Sequence, residues 1–518
     1  MSAVTQLFSG TRGAGETWSN PAAALERRTV LVERAVAEAY EQHLAPCAPE
    51  GLALLAVGGF GRRELFPHSD VDLLLLAEKP AIAERQRAAI LGFLQALWDG
   101  GLRVSHSVRT PAECRELDEQ NIELSISLLD ERLLAGDRGL YAKLVPGLAR
   151  FFHGQRQALA RHLCRRARER HHKYGGSIYQ LEPDVKEGPG GLRDFQLLAW
   201  LERLRQAQPD RLPLREGFAG LLPASNFLYA VRIFLHDRTG RDSNTLTFDL
   251  QDEAAEQFSR EPADWMRDYY ASAREIHRAC ARAIDAAEER ASSLLVGFRE
   301  WRSRVSNAEF YVARERVYFR APQGLEQDPA LSLRLFEFAG RHGMRLALET
   351  ERRLAQALPL LRRHFAAPPA PLWPALRELL AMPHCALALR AMQETGVLGA
   401  LFPEWEPIEC LVIRDFHHRY TVDEHTLRAI ETLDELGTAR EPSLERFSEL
   451  LAEIDDPELL RFALLFHDLG KAAPLGRHVP ESLRLAQGAL ERIGMPEEQR
   501  RTVAALVERH LDLSRAMS

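Results

Sequence analysis

The run VGGFGRRELFPHSDVDLLLL at 57–76 constrains this chain more than any other stretch of it. A glycine pair closes one short apolar run, LALLAV (52–57), and two aspartates open a second, VDLLLLAE (71–78). Apolar runs of this length, bounded by glycine, read as buried strands. Alternate side chains of a strand share a face, so Asp70 and Asp72 project together while Val71 and Leu73 point into a core. Two carboxylates that close repel, and a divalent cation is the natural way to keep both ionised. Gly58, Gly59 and Gly61 let backbone N–H groups approach phosphate oxygens without a Cβ in the way. Arg62 or Arg63 adds charge to a triphosphate pocket, and Ser69 either bonds a phosphate or caps the turn. His68 either does the same or is a plain surface residue.

No Gly-Lys-Ser/Thr follows the glycines, which excludes a Walker loop, and a D-V-D strand stands where a dinucleotide fingerprint needs a glycine-led helix. Metal-assisted attack on the α-phosphate of a nucleoside triphosphate remains. One ion activates the acceptor hydroxyl, and the other grips the triphosphate. A third carboxylate normally completes such a clamp. Asp130 is the first choice, with Glu131 and Glu123 as competitors. A surface acidic turn is the bland alternative, and it leaves the paired glycines beside alternating aspartates unexplained.

A second constellation lies near the C-terminus. LLRFALLFHDLGKAAP (459–474) ends an apolar helix in His467 and Asp468, followed by Gly470 and Lys471. An imidazole and a carboxylate placed there can ligate Mg, Mn, Fe or Zn, and a helix cap with a satisfied histidine is the structural alternative. His425 opens the helix after FHHRYTVDEHT (416–426), and His478 and His510 can join the same site. His417 and His418 are less specific. Metal-assisted hydrolysis of a phosphodiester or phosphomonoester is the chemistry this donor set would serve.

At 518 residues the chain is too long for one core. The reading gives a loose tail at 1–20, a small α/β domain at 21–145, a helical domain at 146–300, a helical connecting region at 301–405 and a metal-binding helical domain at 406–518. Strands are expected at 52–57, 71–78 and 102–109, helices at 21–43 and 81–98, and a strand or helix end at 123–130. The basic stretch Arg161, Arg165, Arg166, Arg168, Arg170 and Lys173 is either a solvated helix face or a phosphate- or partner-facing one. YQLEPDVKEGPGGLRDFQLLAW (179–200) interrupts the helices, because GPGG at 188–191 breaks a regular helix. Lys+Arg 67 against Asp+Glu 74 gives a net charge of -7, which disfavours a broad nucleic-acid surface. The six cysteines at 47, 114, 164, 280, 385 and 410 form no zinc or disulfide pattern. No signal pattern opens the chain, and its apolar runs fall short of the roughly 20 residues a membrane span needs. A cytoplasmic protein is expected.

Taken together in this order, the two constellations resemble the bacterial GlnD PII uridylyltransferase/uridylyl-removing family. Gly58, Gly59, Asp70 and Asp72 match the DNA polymerase β-type nucleotidyltransferase signature. LEPDVKEGPGGLRD (181–194), WMRDYY (265–270) and YTVDEHT (420–426) extend the likeness from about residue 50 to the end, and the first of these separates the chain from CCA-adding enzymes. The family's third acidic position falls on Asp130, where glutamate is usual. His425, His467 and Asp468 resemble the ligands of HD phosphohydrolases, and His478 and His510 match additional family histidines. KAAPLGRH (471–478) departs from the family pattern and is one residue longer. The family's last aspartate falls just beyond Met517, and the two glutamine-sensing ACT domains do not follow, so the chain is expected to be either truncated or a short relative.

The resemblance implies an α+β fold: a polymerase β-type domain, then mostly helical domains including an HD-type one. It implies transfer of UMP from UTP, with Mg²⁺ or Mn²⁺, to a tyrosine hydroxyl of the trimeric PII signalling protein. It also implies removal of UMP at a divalent-metal HD site, weak or absent if the last ligand is missing. Two alternatives stand beside it: a nucleotidyltransferase using another NTP or another acceptor, RNA or a small molecule, and a scaffold that binds PII or nucleotide without turnover.

Overall fold

The structure is a computed structural model that describes residues 18–117, 122–206, 216–300, 305–313, 315–321, 323–368, 371–414, 419–437, 441–474 and 477–512, with the side chains of 216–217, 289–300 and 442 left aside. His417, His418 and Met517 lie outside the described residues, as does most of the 1–20 tail. The chain divides into two compact units, one of residues 1–178 and 182–292, the other of 179–181 and 293–518.

The first unit is built on a four-stranded sheet of order β3-β2-β1-β4. β1 (Leu52–Ala56) pairs antiparallel with β2 (Val71–Ala77) and with β4 (Arg132–Gly136), and β2 runs parallel to β3 (Val104–Arg109). β1 is buried along its whole length because both faces of the sheet are covered. Leu52, Leu54, Val71, Leu73 and Leu75 pack against α1 (Pro21–His43) and α2 (Arg87–Asp99) through Val36, Tyr40, Phe93 and Leu97. The alternate residues Ala53, Leu55, Leu74 and Leu76 pack on Leu140, Leu144 and Leu148 of α3 (Arg138–Lys173). The 123–130 segment is helical, as Ile122–Ser127 and the tighter turn Leu128–Asp130, and β4 follows it where no strand was expected.

Beyond α3, the segment 181–191 is irregular, and helices α4 (Leu192–Gln206), α5 (Leu222–Thr239) and the part of α6 (Pro262–Glu300) up to residue 292 belong to the first unit. Phe218–Thr239 is long and apolar enough to cross a membrane. It is a core helix instead, with Leu228, Tyr229, Val231, Leu235 and His236 buried in the unit and Arg232 facing the cleft described below.

The second unit is mostly helical, but its first part is not purely so. A three-stranded sheet of β5 (Phe310–Ala313), β6 (Arg316–Phe319) and β7 (Arg345–Leu346) lies within the region read as helical at 301–405. Its Phe310, Val317 and Phe319 join one core with α7 (Leu331–His342), α8 (Cys385–Thr395), α9 (Val422–Leu436) and α10 (Pro457–Phe466). α11 (His478–Arg492) and α12 (Glu497–Arg509) close the unit.

Candidate active sites

A cleft of about 790 Å³ opens in the first unit, at the mouth of β2. Asp70 stands just before β2 and Asp72 is its second residue, and both line the cleft with Gly58, Gly59 and Ser69. The residues between and after them, Val71 and Leu73, are buried on the opposite side. Gly58 is needed where it is. Its φ is +56°, and a Cβ there would meet Asp72 Oδ2 at 2.9 Å. Asp70 is half exposed and pairs with Arg103 at 3.0 Å. Burial pushes the Asp72 carboxyl up to about 6, and the neighbouring Asp70 adds to the rise against Arg62, Lys186 and Arg193. Those two carboxylates share a wall at a mutual electrostatic cost, and a divalent cation fits that donor set by relieving the cost.

The structure departs from the expected roles of Asp130, Gly61 and Arg62. Asp130 does not line the cleft. Its side chain is fully buried and bonded to Arg62, to Arg203 and to Trp200 Nε1 at 3.0 Å, so its oxygens are already filled by donors. The reading of Asp130 as third metal ligand is corrected to that of an ion-pair anchor. Gly61 packs its Cα against the Asp130 carbonyl and does not line the cleft. Arg62 lines it, but its guanidinium is tied to Asp130 and, at 3.0 Å, to Glu64. Of the competitors, Glu131 is buried and accepts from Tyr141 at 2.8 Å, whereas Glu123 does reach the cleft, paired with Arg166 at 3.4 Å.

The helical part of the unit supplies the other wall. His162, Arg166, Arg170 and Lys173 fall on one face of α3 and line the cleft. Arg161, Arg165 and Arg168 do not, and Arg168 pairs with Glu288, so the basic stretch splits between cleft and surface. Lys186, Glu187 and Arg193 of the irregular segment, and Arg232 with Asp242 from around α5, also line it. Composition and spacing gave no sign of Arg232 and Asp242, which carry no motif of their own. The glycine break at 188–191 was the one signal pointing at the segment that bears Lys186.

In the second unit, α10 ends at Phe466 and delivers His467 and Asp468 into a cluster with His425 of α9, His478 of α11 and His510 after α12. Donor atoms of His425, His467 and Asp468 lie within 4.8 Å of one another, as do those of Asp468, His478 and His510. Nε2 of His467 is 3.1 Å from Asp468 Oδ2, with His425 Nε2 at 3.8 Å, and His510 Nε2 is 3.9 Å from Oδ1. Nδ1 of His467 meets the Leu464 carbonyl, and Nδ1 of His510 the Val507 carbonyl, both at 2.7 Å. Each carbonyl accepts from the Nδ1–H and turns Nε2 toward the cluster. His510 Nε2 is buried with no hydrogen-bond partner, as a waiting ligand atom is.

Burial alone would raise the Asp468 carboxyl, but hydrogen bonding to His467 and the charges of His467 and Lys471 outweigh it and hold it well below the usual range. Lys471 sits 2.8 Å from Asp468 Oδ2. Gly470 lets the turn press on α11, where a Cβ would collide with the His478 carbonyl, and its N–H donates to Ser482 at 2.8 Å. The donor set, one carboxylate ringed by imidazoles, fits a divalent transition metal.

A sequence model of GlnD PII-uridylyltransferase matches residues 158–284, and one of the HD domain matches residues 422–517. The chain is similar to the bifunctional uridylyltransferase/uridylyl-removing enzyme of Cereibacter sphaeroides, 34% identical over 488 residues, covering 90% of this chain and 52% of the relative. It is similar to those of Caulobacter vibrioides, 32% identical over 547 residues (98% and 57%), and Nitrosococcus oceani, 32% over 524 residues (96% and 57%). The chain therefore spans little more than half the length of these relatives.

Proposed function

The chain belongs to the bacterial GlnD-type uridylyltransferase/uridylyl-removing family, and we propose that it transfers UMP from UTP to a tyrosine hydroxyl of a PII-type signalling protein in the cytoplasm. The observation that carries the reading is the pairing of Asp70 and Asp72 on one wall of a cleft whose other wall is rich in Arg and Lys. Asp70 and Asp72 would hold Mg²⁺ or Mn²⁺, which supplies charge neutralisation at the α-phosphate. The acceptor oxygen forms its bond to the α-phosphorus as the bond to the α,β-bridging oxygen breaks. Pyrophosphate leaves with that electron pair, and the hydroxyl proton passes to water. Gly58 keeps the Asp72 carboxylate clear of a Cβ, and Ser69 lies on the same wall. Incubation with labelled UTP, Mg²⁺ and a PII-type protein is expected to label the PII chain. A panel with ATP, GTP and CTP, and with RNA as acceptor, tests the reading. Preferential labelling from another nucleotide, or of RNA, would replace it.

The second activity in this reading is removal of UMP at the histidine cluster. His425, His467, Asp468, His478 and His510 would hold a divalent ion, whose Lewis acidity serves phosphodiester hydrolysis. Lys471 stands beside the carboxylate, placed to meet a phosphate oxygen. Asp468→Ala removes the one carboxylate common to both ligand groups. The expected result is loss of bound metal, measured by elemental analysis, and loss of UMP removal, with UMP transfer unchanged. Retention of stoichiometric metal in the variant would refute this assignment.

A further inference from the structure

Three cations crowd one wall of the nucleotide cleft beside two carboxylates, Glu187 and Asp242. Lys186 and Arg193 come from the irregular segment and the start of α4, and Arg232 from α5. Arg193 pairs with Glu187 at 3.1 Å. Arg232 pairs with Asp242 at 3.1 Å and hydrogen-bonds Asn244 at 2.7 Å, while Phe66 lies 4.1 Å below its guanidinium. Asp242 is shared again with His236 at 3.0 Å, and it meets the Lys186 ammonium only at 4.0 Å. Lys186 is three-quarters buried, so solvent compensates it little. Burial, and after it the charge of Arg232, pulls the Lys186 ammonium below its usual range. Like charges packed this way, facing a cleft, are relieved by a polyanion.

The segment that carries Lys186 is held rigidly. The Asp184 carboxylate accepts from the backbone N–H of Lys186 at 2.9 Å and of Glu187 at 2.7 Å. Gly190 has φ +73° and backs onto the Ala273 carbonyl, and its N–H donates to Asp194 at 2.8 Å. Buried Asp194 also takes His171 at 2.9 Å, and Arg170. Asp194, His171 and His277 have donor atoms within 4.8 Å of one another, but Arg170 and Gly190 already fill that carboxylate, so the cluster reads as an anchor for the turn. Lys186 therefore has a fixed backbone and lines the same cleft as Asp72.

We propose that Lys186, with Arg193 and Arg232 beside it, grips the β- and γ-phosphates of the bound nucleoside triphosphate and the pyrophosphate that leaves. The grip rests on the nucleotidyltransferase reading of Asp70 and Asp72, and it extends the reacting site into the helical region. Charge that develops on the leaving group falls next to fixed cations, which need no rearrangement to receive it. The base and ribose are left to other parts of the cleft.

The test is calorimetric binding of UTP, UMP and inorganic pyrophosphate, each with Mg²⁺, to the full chain and to Lys186→Met and Lys186→Arg. Loss of a charge-assisted contact predicts about tenfold or greater weakening of pyrophosphate and UTP in Lys186→Met. UMP affinity is expected to stay within about twofold of the starting protein on the same grounds, because its phosphate sits at the metal pair. Lys186→Arg is expected to recover most of the loss, which a merely structural lysine would not show. Unchanged pyrophosphate affinity in Lys186→Met, or an equal loss for UMP, overturns the grip. Tighter binding of another triphosphate than UTP, with the same dependence on Lys186, leaves the grip standing and overturns only the uridylyl reading.

Discussion

Asp72→Asn is expected to lower UMP transfer by at least about 10²–10³-fold, the loss that follows removal of one fixed electrostatic group from a reacting site. The change keeps the size of the side chain, so the cleft wall and the contact with Gly58 survive. It removes one of two charges that a divalent ion would bridge. A titration of Mg²⁺ against both proteins measures the first step directly, and transfer rates at saturating Mg²⁺ measure the rest. The same residue predicts a pH signature in the metal-free protein. Its carboxyl is pushed up to about 6, by burial first and by Asp70 second. The folded state therefore holds this proton more tightly than the unfolded chain does. The associated stability is complete below the ordinary carboxylate value near 4, and it is lost as pH rises from about 4 to about 6. Mg²⁺ needs the ionised form, so its affinity is expected to climb through the same window and level off above it. Asp72→Asn should flatten both curves. A variant that binds Mg²⁺ and transfers UMP as the starting protein does would remove the foundation of the transferase reading.

What the sequence made legible follows from where the signal was local. β1 and β2 are continuous apolar runs with glycine and aspartate at their ends, and the period of two that placed Asp70 and Asp72 together needs only strand geometry. The imidazole cluster was legible in the same way, because His467 and Asp468 terminate an apolar helix. β4 was not legible. It is five residues long, follows a helix-like run, and takes its stability from pairing with β1 across 76 or more residues of chain. The hairpin of β5 and β6 alternates Phe310, Val312, Val317 and Phe319 as strands do. Its connection holds Glu315 at a φ of 59° where glycine or asparagine would have announced the turn. The cleft wall formed by Lys186, Arg193 and Arg232 depends on three separate segments meeting, and no spacing within one of them records that. Asp130 is the instructive failure. A carboxylate at the right distance along the chain looks the same in sequence whether its oxygens face a metal or a pair of arginines.

The two roles of Asp130 separate cleanly by experiment. Asp130→Ala is expected to destabilise the first unit by about 3–5 kcal/mol, the cost of breaking a buried ion pair from one side. Arg62 is 4% exposed and Asp130 0%. Burial works against the Arg62 charge, and Asp130 with Glu64 outweighs it, so the variant leaves a buried guanidinium short of its main partner. Arg203 and the Trp200 indole N–H lose an acceptor at the same moment. For a unit of this size that loss corresponds to a fall in melting temperature on the order of 10 °C. Asp70→Ala is the contrasting change, since a half-exposed side chain typically alters stability by no more than about 0.5 kcal/mol. Melting and Mg²⁺ titration of the two variants should therefore move in opposite ways: Asp130→Ala melts early yet keeps its Mg²⁺ affinity below the transition, whereas Asp70→Ala melts as before and loses it. If Asp130→Ala instead kept its melting temperature and lost Mg²⁺, the arginine anchor would be wrong and Asp130 would return as the third ligand. The distinction matters for the site as a whole, because with Asp130 committed to Arg62 and Arg203 the acidic groups left in the cleft beside Asp70 and Asp72 are Glu64, Glu123, Glu169, Glu187 and Asp242. Of these, Glu64 is bound by Arg62 and Tyr229, and Glu187 and Asp242 are engaged by Arg193 and Arg232. Glu123 and Glu169 both pair with the exposed Arg166, at 3.4 Å and 3.3 Å, and among the described residues they are the cleft carboxylates least tied down near the Asp70–Asp72 pair.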